Sequence, residues 1–210
     1  MQPLSAFYSR ILPYLPGCSE PMVDQVLLDS AIEFCENSLS IRQNLDPFYT
    51  RAGAPEYDLD TPSKEYTIAR VMSVSLAGDE LEPVMIEKVR GSLSTVNSKP
   101  RGFYTDRVDS TLVLRLTPTP DDKYEVKVIA ALRPSRTATL LDDDLLNLWV
   151  APLTQAALAR AMMIPDQPFT NPSMSVAMSM SAAKLTSTAR IEGTYGLIRG
   201  SMTSRNRPFV

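Results

Sequence analysis

The sequence predicts an α+β protein. Helices from the two ends pack as one bundle, and an antiparallel β-sandwich or barrel-like module is inserted between them. Three observations predict this. Apolar residues recur at helical spacing before residue 39 and again after residue 140, whereas between those limits they alternate in the strand manner. Proline and glycine punctuate the joins. An apolar fraction of 44% supplies enough material for a core. The expected organisation is a discontinuous helical unit of residues 1–39 and 140–200. A β module covers residues 40–139, and a flexible docking tail covers residues 200–210.

Leu4 to Leu12 form a short amphipathic segment stopped by Pro13 and Pro16. Ser19 then reads as an N-cap, with Glu20 at the positive end of the helix dipole and Pro21 in the first turn. Met22, Val23, Val26, Leu27, Ala31, Phe34 and Cys35 carry a helical stripe up to about Leu39.

The pattern changes at Ser40. SIRQNLDPFY alternates as one strand, and EYDL follows a Gly-Ala-Pro turn. TIARVMSVSLAGDELEPV reads as strand, Gly-Asp turn, strand. FYTD, TLVLRLTP and YEVKVIAAL complete about six strands. Leu112, Leu114 and Leu116 alternate with Val113, Arg115 and Thr117, and Tyr124, Val126 and Val128 alternate with Glu125 and Lys127. Each set predicts one buried face. PTPDDK between these strands reads as a hairpin loop.

Helix returns at Asp142: Leu145, Leu148, Trp149, Leu153, Ala156, Ala157 and Arg160 follow a three-to-four spacing, so one helix is expected to run to Met163, where Pro165 and Pro168 end it. Asp142 and Asp143 sit where backbone amides are unpaired, so they read as a cap, and Trp149 reads as core. Asn171-Pro172 marks another cap. The last helix then runs from about Ser173 to Arg190 or beyond. Its Ala, Ser and Met content suits close helix approach and an adaptable contact surface. Met174, Met178, Lys184 and Arg190 are its candidate inter-subunit or channel-facing residues. GTYGLIRGSMTSRNRPFV, with three glycines, reads as flexible in a monomer.

Composition excludes more than it names. The chain has no histidine, so Ser–His and Cys–His nucleophile systems cannot be built within it. Cys18 and Cys35 lack metal-type spacing and read as reduced, buried residues of a protein made in a cytoplasm. Neither a membrane span nor a secretory leader is legible, and the phosphate-cradling glycine motifs are missing. No cofactor or metal is expected. Asp142 to Asp144 would serve a metal-dependent hydrolase, but adjacent acids at a helix start do not face one point, so capping is preferred. Glu33 and Glu36 read as a solvated face. The net charge of −3 is unevenly placed: residues from Lys184 onward sum to +4, leaving −7 before them. RNRPFV at the end pairs arginines with an aromatic anchor. It suits a docking peptide, the alternative being that Phe209 tucks onto its own domain.

Two segments resemble the head–tail connector, or adaptor, proteins of tailed bacteriophages. One is LPGCSEPMVDQVLLDSAIEFCENSL. The other is LRPSRTATLLDDDLLNLWVAPLTQAALARAMMIPDQPFTNP, with its Pro-Ser, its Thr before an acidic helix start, its Trp, its Ala-Leu-Ala-Arg run and its Asn-Pro exit. EYDL, the Arg70-Val71 strand and LRLTPTP fall between them in the expected order. The likeness covers about residues 10 to 175, and the sequence after Pro172 matches no motif of the family. The resemblance implies a structural virion protein and not an enzyme. It implies a ring, usually of twelve copies, beneath the portal ring, retaining packaged DNA and offering a platform to downstream tail or nozzle proteins. The expected site is the neck of the virion, assembled in the host cytoplasm, with no membrane contact. Met202, Arg205, Arg207, Pro208, Phe209 and Val210 are then the candidate portal-docking residues, and the same arginines face packaged double-stranded DNA in the alternative, touching phosphate without reading sequence. A neck or tail protein not bound to the portal is the other reading.

Overall fold

A computed structural model describes residues 1–61, 63–85, 97–108 and 111–195. The candidate docking residues from Met202 to Val210 lie outside the described residues.

The chain enters through a two-residue strand, β1 (Gln2–Pro3), and a run of short helical turns that includes α1 (Tyr8–Ile11). Pro13 sits in the first turn of the last of these, where its missing N–H costs no hydrogen bond. α2 (Glu20–Ser38) begins after Ser19, but the Ser19 hydroxyl makes no capping bond. The Ser19 carbonyl instead accepts from the amides of Met22 and Val23 at 3.1 Å each. Leu39 closes α2 in the left-handed region at φ 53°, a position that usually selects glycine.

The expected strand over residues 40–49 is two pieces, β2 (Arg42–Asn44) and β3 (Phe48–Tyr49). Pro47 between them has no N–H for a ladder, which explains the interruption. β4 (Glu56–Leu59), β5 (Tyr66–Leu76), β6 (Asp79–Glu80), β7 (Glu82–Pro83), β8 (Gly102–Val108), β9 (Thr111–Thr117) and β10 (Glu125–Pro134) follow, and β11 (Leu140–Leu141) pairs with β1. One sheet has the order β2-β10-β5-β6, with β3 also on β10, and the other has the order β4-β9-β8-β7.

The strand pairing departs from the sequence pattern twice. PTPDDK is not a hairpin: β9 belongs to the second sheet and β10 to the first, so this loop carries the chain between sheets. Likewise the arm after the Ala77-Gly78 turn splits. β6 stays on β5, whereas β7 crosses over and runs parallel to β8. The single-face expectation also fails in places, because Val113 is buried beside Leu114, and Ala130 beside Ala131. The β10–β5 ladder also shifts register twice, between Ile129 and Ala130 and between Ala131 and Leu132, with Met72 and Ala69 of β5 as the extra residues.

The helix expected from Asp142 to Met163 is two helices, α3 (Asp143–Asn147) and α4 (Val150–Met162). Pro152 is the reason. In an unbroken helix it would lack the bond to the Leu148 carbonyl and its ring would strike that carbonyl. Restarting at Val150 puts Pro152 in a first turn, where neither problem arises. Leu148, placed in the apolar stripe by spacing, is therefore thrown outward and is 65% exposed. α5 (Pro172–Tyr195) runs past Arg190, so the first residues of the expected flexible segment are helical.

Buried side chains fall into two clusters. Leu27, Phe34 and Cys35 of α2 join Phe7, Leu145 and Leu153 in a helical cluster. Leu76, Val126 and Leu132 of one sheet join Phe103, Leu114 and Leu116 of the other. Ile41 packs against both. At their boundary Leu132 N donates to Ile41 O at 2.9 Å and Arg133 pairs with Glu36 at 2.7 Å. Among the described residues no helix is long and apolar enough to cross a membrane.

Candidate assembly surfaces

α5 is the most exposed long element. Asn171 caps it: its Oδ1 accepts from the Met174 amide at 3.1 Å, so Pro172 needs no N–H in the first turn. Only Ser175, Ala182 and Ala189 of its described residues are fully buried, and they recur every seven positions. That spacing keeps one narrow stripe facing α4 and α2. The small side chains bring the backbones close, and Ser175 Oγ donates to Ala159 O of α4 at 2.6 Å.

The rest of α5 faces outward, apolar residues included. Met174 is 38% exposed, Val176 56%, Met180 69% and Ile191 55%. Met178 is half-buried, and Lys184 and Arg190 are exposed. Neither cation has an ion-pair partner among the described residues. Sequence reasoning marked Met174 and Met178 but missed Val176, Met180 and Ile191. They stand four and then eleven residues apart on one face of the helix, a signal masked by interleaved serines and alanines.

Beside α5 lies a cleft of about 580 Å³ formed with α2 and α4. Small residues such as Ser30, Ala156, Ala159 and Ala183 line it, and Arg190 stands at its rim. Arg160 of α4 pairs with Glu33 of α2 within it. Glu33 and Glu36, expected on a solvated face, are thus both engaged in ties from α2, to Arg160 and Arg133 respectively.

The acids at Asp142 to Asp144 diverge. Asp142 Oδ1 accepts from the Asp144 amide at 2.9 Å, within its own helix start. Asp143 Oδ2 instead takes the Met1 amino group at 2.9 Å, and that bond, with a second from Gln2, holds its carboxyl below the usual range. Among the described residues no group of three or more His, Cys, Asp or Glu converges on a metal position. Trp149 is half-buried against the helical cluster, its ring centroid 5.8 Å from that of Phe34. Cys35 is buried, which pushes its thiol pKa well up; Cys18, expected to be buried too, is only half-buried. The surface offers contact area: a long helix with exposed apolar residues, two cations without an ion-pair partner among the described residues and an adjoining cleft.

The family model described as SU10 adaptor protein matches residues 7–207. No curated protein matches the chain.

Proposed function

The chain belongs to the SU10 adaptor protein family, a phage head-to-tail adaptor family, and from that premise we propose that about twelve copies close a ring beneath the portal. A phage structural adaptor is a component of the virion neck, associated with other virion proteins. The ring retains packaged DNA and presents the platform on which tail or nozzle proteins assemble. Its subunits are made in the host cytoplasm.

In this reading the helical unit of residues 1–39 and 140–200 is a bundle that meets neighbouring subunits and the portal. The module of residues 40–139 is a two-layer β-sandwich that projects towards lateral or tail partners. Met174, Met178, Lys184 and Arg190 serve the subunit boundary or the channel. Met202, Arg205, Arg207, Pro208, Phe209 and Val210 dock on the portal. DNA contact in the channel is non-specific and goes to phosphate.

The observation that supports this best is α5. A helix of 24 residues that buries a single stripe and leaves Val176, Met180 and Ile191 more than half exposed carries apolar surface a lone subunit does not use. The test is to mix the purified protein with portal rings of the same phage and weigh the product by mass photometry. One closed ring per portal is expected. Deleting residues 200–210 should reduce co-assembly, and undiminished assembly sinks the docking role of the tail. Rings that form without binding the portal would instead favour a neck or tail protein placed elsewhere.

A further inference from the structure

We propose that α5 is the stave of an inner helical barrel: its two flanks pack in parallel on the α5 helices of the two neighbouring copies, joined by an Arg190–Glu192 ion pair at each boundary. This rests on the ring reading above and names the surface through which the ring closes.

One flank carries Val176, Met180 and Ile191, connected through Ala183 and Ser187. The other carries Met174, Met178, Leu185 and Glu192, connected through Ser181 and Thr188. The second flank alternates four and three residues throughout and the first steps by four, three, four and four, the spacings by which helices pack side by side. At about 100° per residue the flanks stand about 140° apart across the exposed side of α5. That is less than a straight angle, as a closed ring of helices with a lumen requires. The buried stripe of Ser175, Ala182 and Ala189 lies on the opposite side, towards α4 and α2. Lys184 projects from the middle of the exposed side, where the lumen would be.

Charge then selects the occupant. Arg190 borders the first flank and Glu192 lies on the second, separated by about 3 Å of helix rise. Both are exposed, and neither is ion-paired among the described residues. Residues two apart on one helix point away from each other and cannot pair. On parallel neighbours related by a ring rotation they meet at each boundary with opposite sign. A second copy of this chain thus supplies the partner that each flank lacks, and repeating the contact closes a heterologous ring instead of a two-fold dimer.

Two experiments test this on the full chain. In the first, Arg190→Glu and Glu192→Arg are made singly and together, and the ring fraction is read by native mass spectrometry, free and with portal rings. Each single change should lower the ring fraction about tenfold, a loss of roughly 1.4 kcal/mol. The double change should restore it, since the swapped charges meet only between copies. In the second, Met180→Cys and Ser181→Cys are placed together in a Cys18→Ser background and oxidised. Neighbouring positions on one helix point about 100° apart and do not bridge within a chain, so a ladder of multimers up to the closed ring is expected. A single dimer band overturns the proposal in favour of a two-fold contact. Rings that assemble on the portal with no cross-linking and no charge effect overturn the proposal and leave the ring reading standing. If no ring forms at all, the ring reading fails and takes this one with it.

Discussion

Local geometry rests on a few residues whose backbone angles, close contacts or hydrogen bonds leave little choice of side chain. Ala77 and Gly78 turn β5 into β6 with φ values of 50° and 94°. Positive φ at both central positions is the geometry that favours Asn-Gly. Ala77→Asn should therefore stabilise the fold by up to about 1 kcal/mol, read as a higher urea midpoint at unchanged slope. Gly102 is the opposite case. A Cβ there would lie 2.5 Å from Val84 Cγ2 and 3.1 Å from the Glu82 carbonyl, because β7 approaches β8 in parallel at this point. Gly102→Ala should cost about 1–3 kcal/mol, and Val84→Ala in the same chain should recover part of the loss. Glu65 ties the start of β5 to β11. Its Oε2 accepts from the amides of Leu140 at 3.1 Å and Thr139 at 2.7 Å, and these bonds hold its carboxyl below the ordinary value of 4.5. A depressed carboxyl stabilises fully above its unfolded value and loses that contribution as pH falls through the lower folded value. The stability gap between wild type and Glu65→Gln should be widest near neutral pH and close as pH drops below 4.5, which acid titration of the thermal midpoint will show. A gap that persists unchanged at low pH would mean that Glu65 acts by packing alone. Of these features only the turn was legible in the sequence, where it reads as Gly-Asp, one residue later than the observed Ala77-Gly78; Gly102 and Glu65 depend on partners far away in sequence.

At the scale of elements, helices were legible where one strip of residues decided them and illegible where one residue overrode the strip. The stripe from Leu145 to Met162 predicts a single helix, yet Pro152 breaks it, and the break throws Leu148 out to solvent. The proline was visible in the sequence, but its weight depends on whether the helix can restart just before it. α5 shows the reverse. The segment from Gly193 reads as flexible because of its three glycines, but Gly193 is a packing position: a Cβ there would lie 3.5 Å from the Ser38 carbonyl and from Arg42 Nη2. The stripe that seats α5 makes a sharp test. Ala189 is wholly buried, whereas Ala183, six residues earlier, is exposed. Ala189→Leu should cost about 1–3 kcal/mol by forcing α5 away from its seat. Ala183→Leu should stay within about 0.5 kcal/mol for the isolated subunit. Hydrogen exchange along α5 separates the two outcomes, since lifting the helix exposes its amides before the rest of the molecule unfolds.

For the whole molecule, alternation along strands revealed that a β module exists but not which sheet each strand joins. Pairing is a property of two segments, so β9 and β10, adjacent in sequence and alike in pattern, end in different sheets. Chain order revealed the helical ends with an insert between them, and the structure adds how the two clusters meet. The helical cluster needs both ends of the chain: Leu27 and Phe34 before the sheets, Leu145 and Leu153 after them. Bringing those ends together costs loop-closure entropy unless the intervening residues are already folded. The boundary is also shared rather than hinged, through Ile41 in both clusters, the Leu132–Ile41 backbone bond and the Arg133–Glu36 pair. The helical cluster should therefore not outlast the sheets. Trp149 is the only tryptophan and packs on Phe34, so its fluorescence reports the helical cluster alone. Tyr66, Tyr57 and Tyr124 belong to the sheet cluster or pack against it and report that side in the near-ultraviolet. In urea the two signals should fall in one coincident transition, the signature of two-state unfolding. A tryptophan midpoint above the tyrosine one would show that the helices hold without the sheets, and the shared boundary would then carry little of the stability of the subunit.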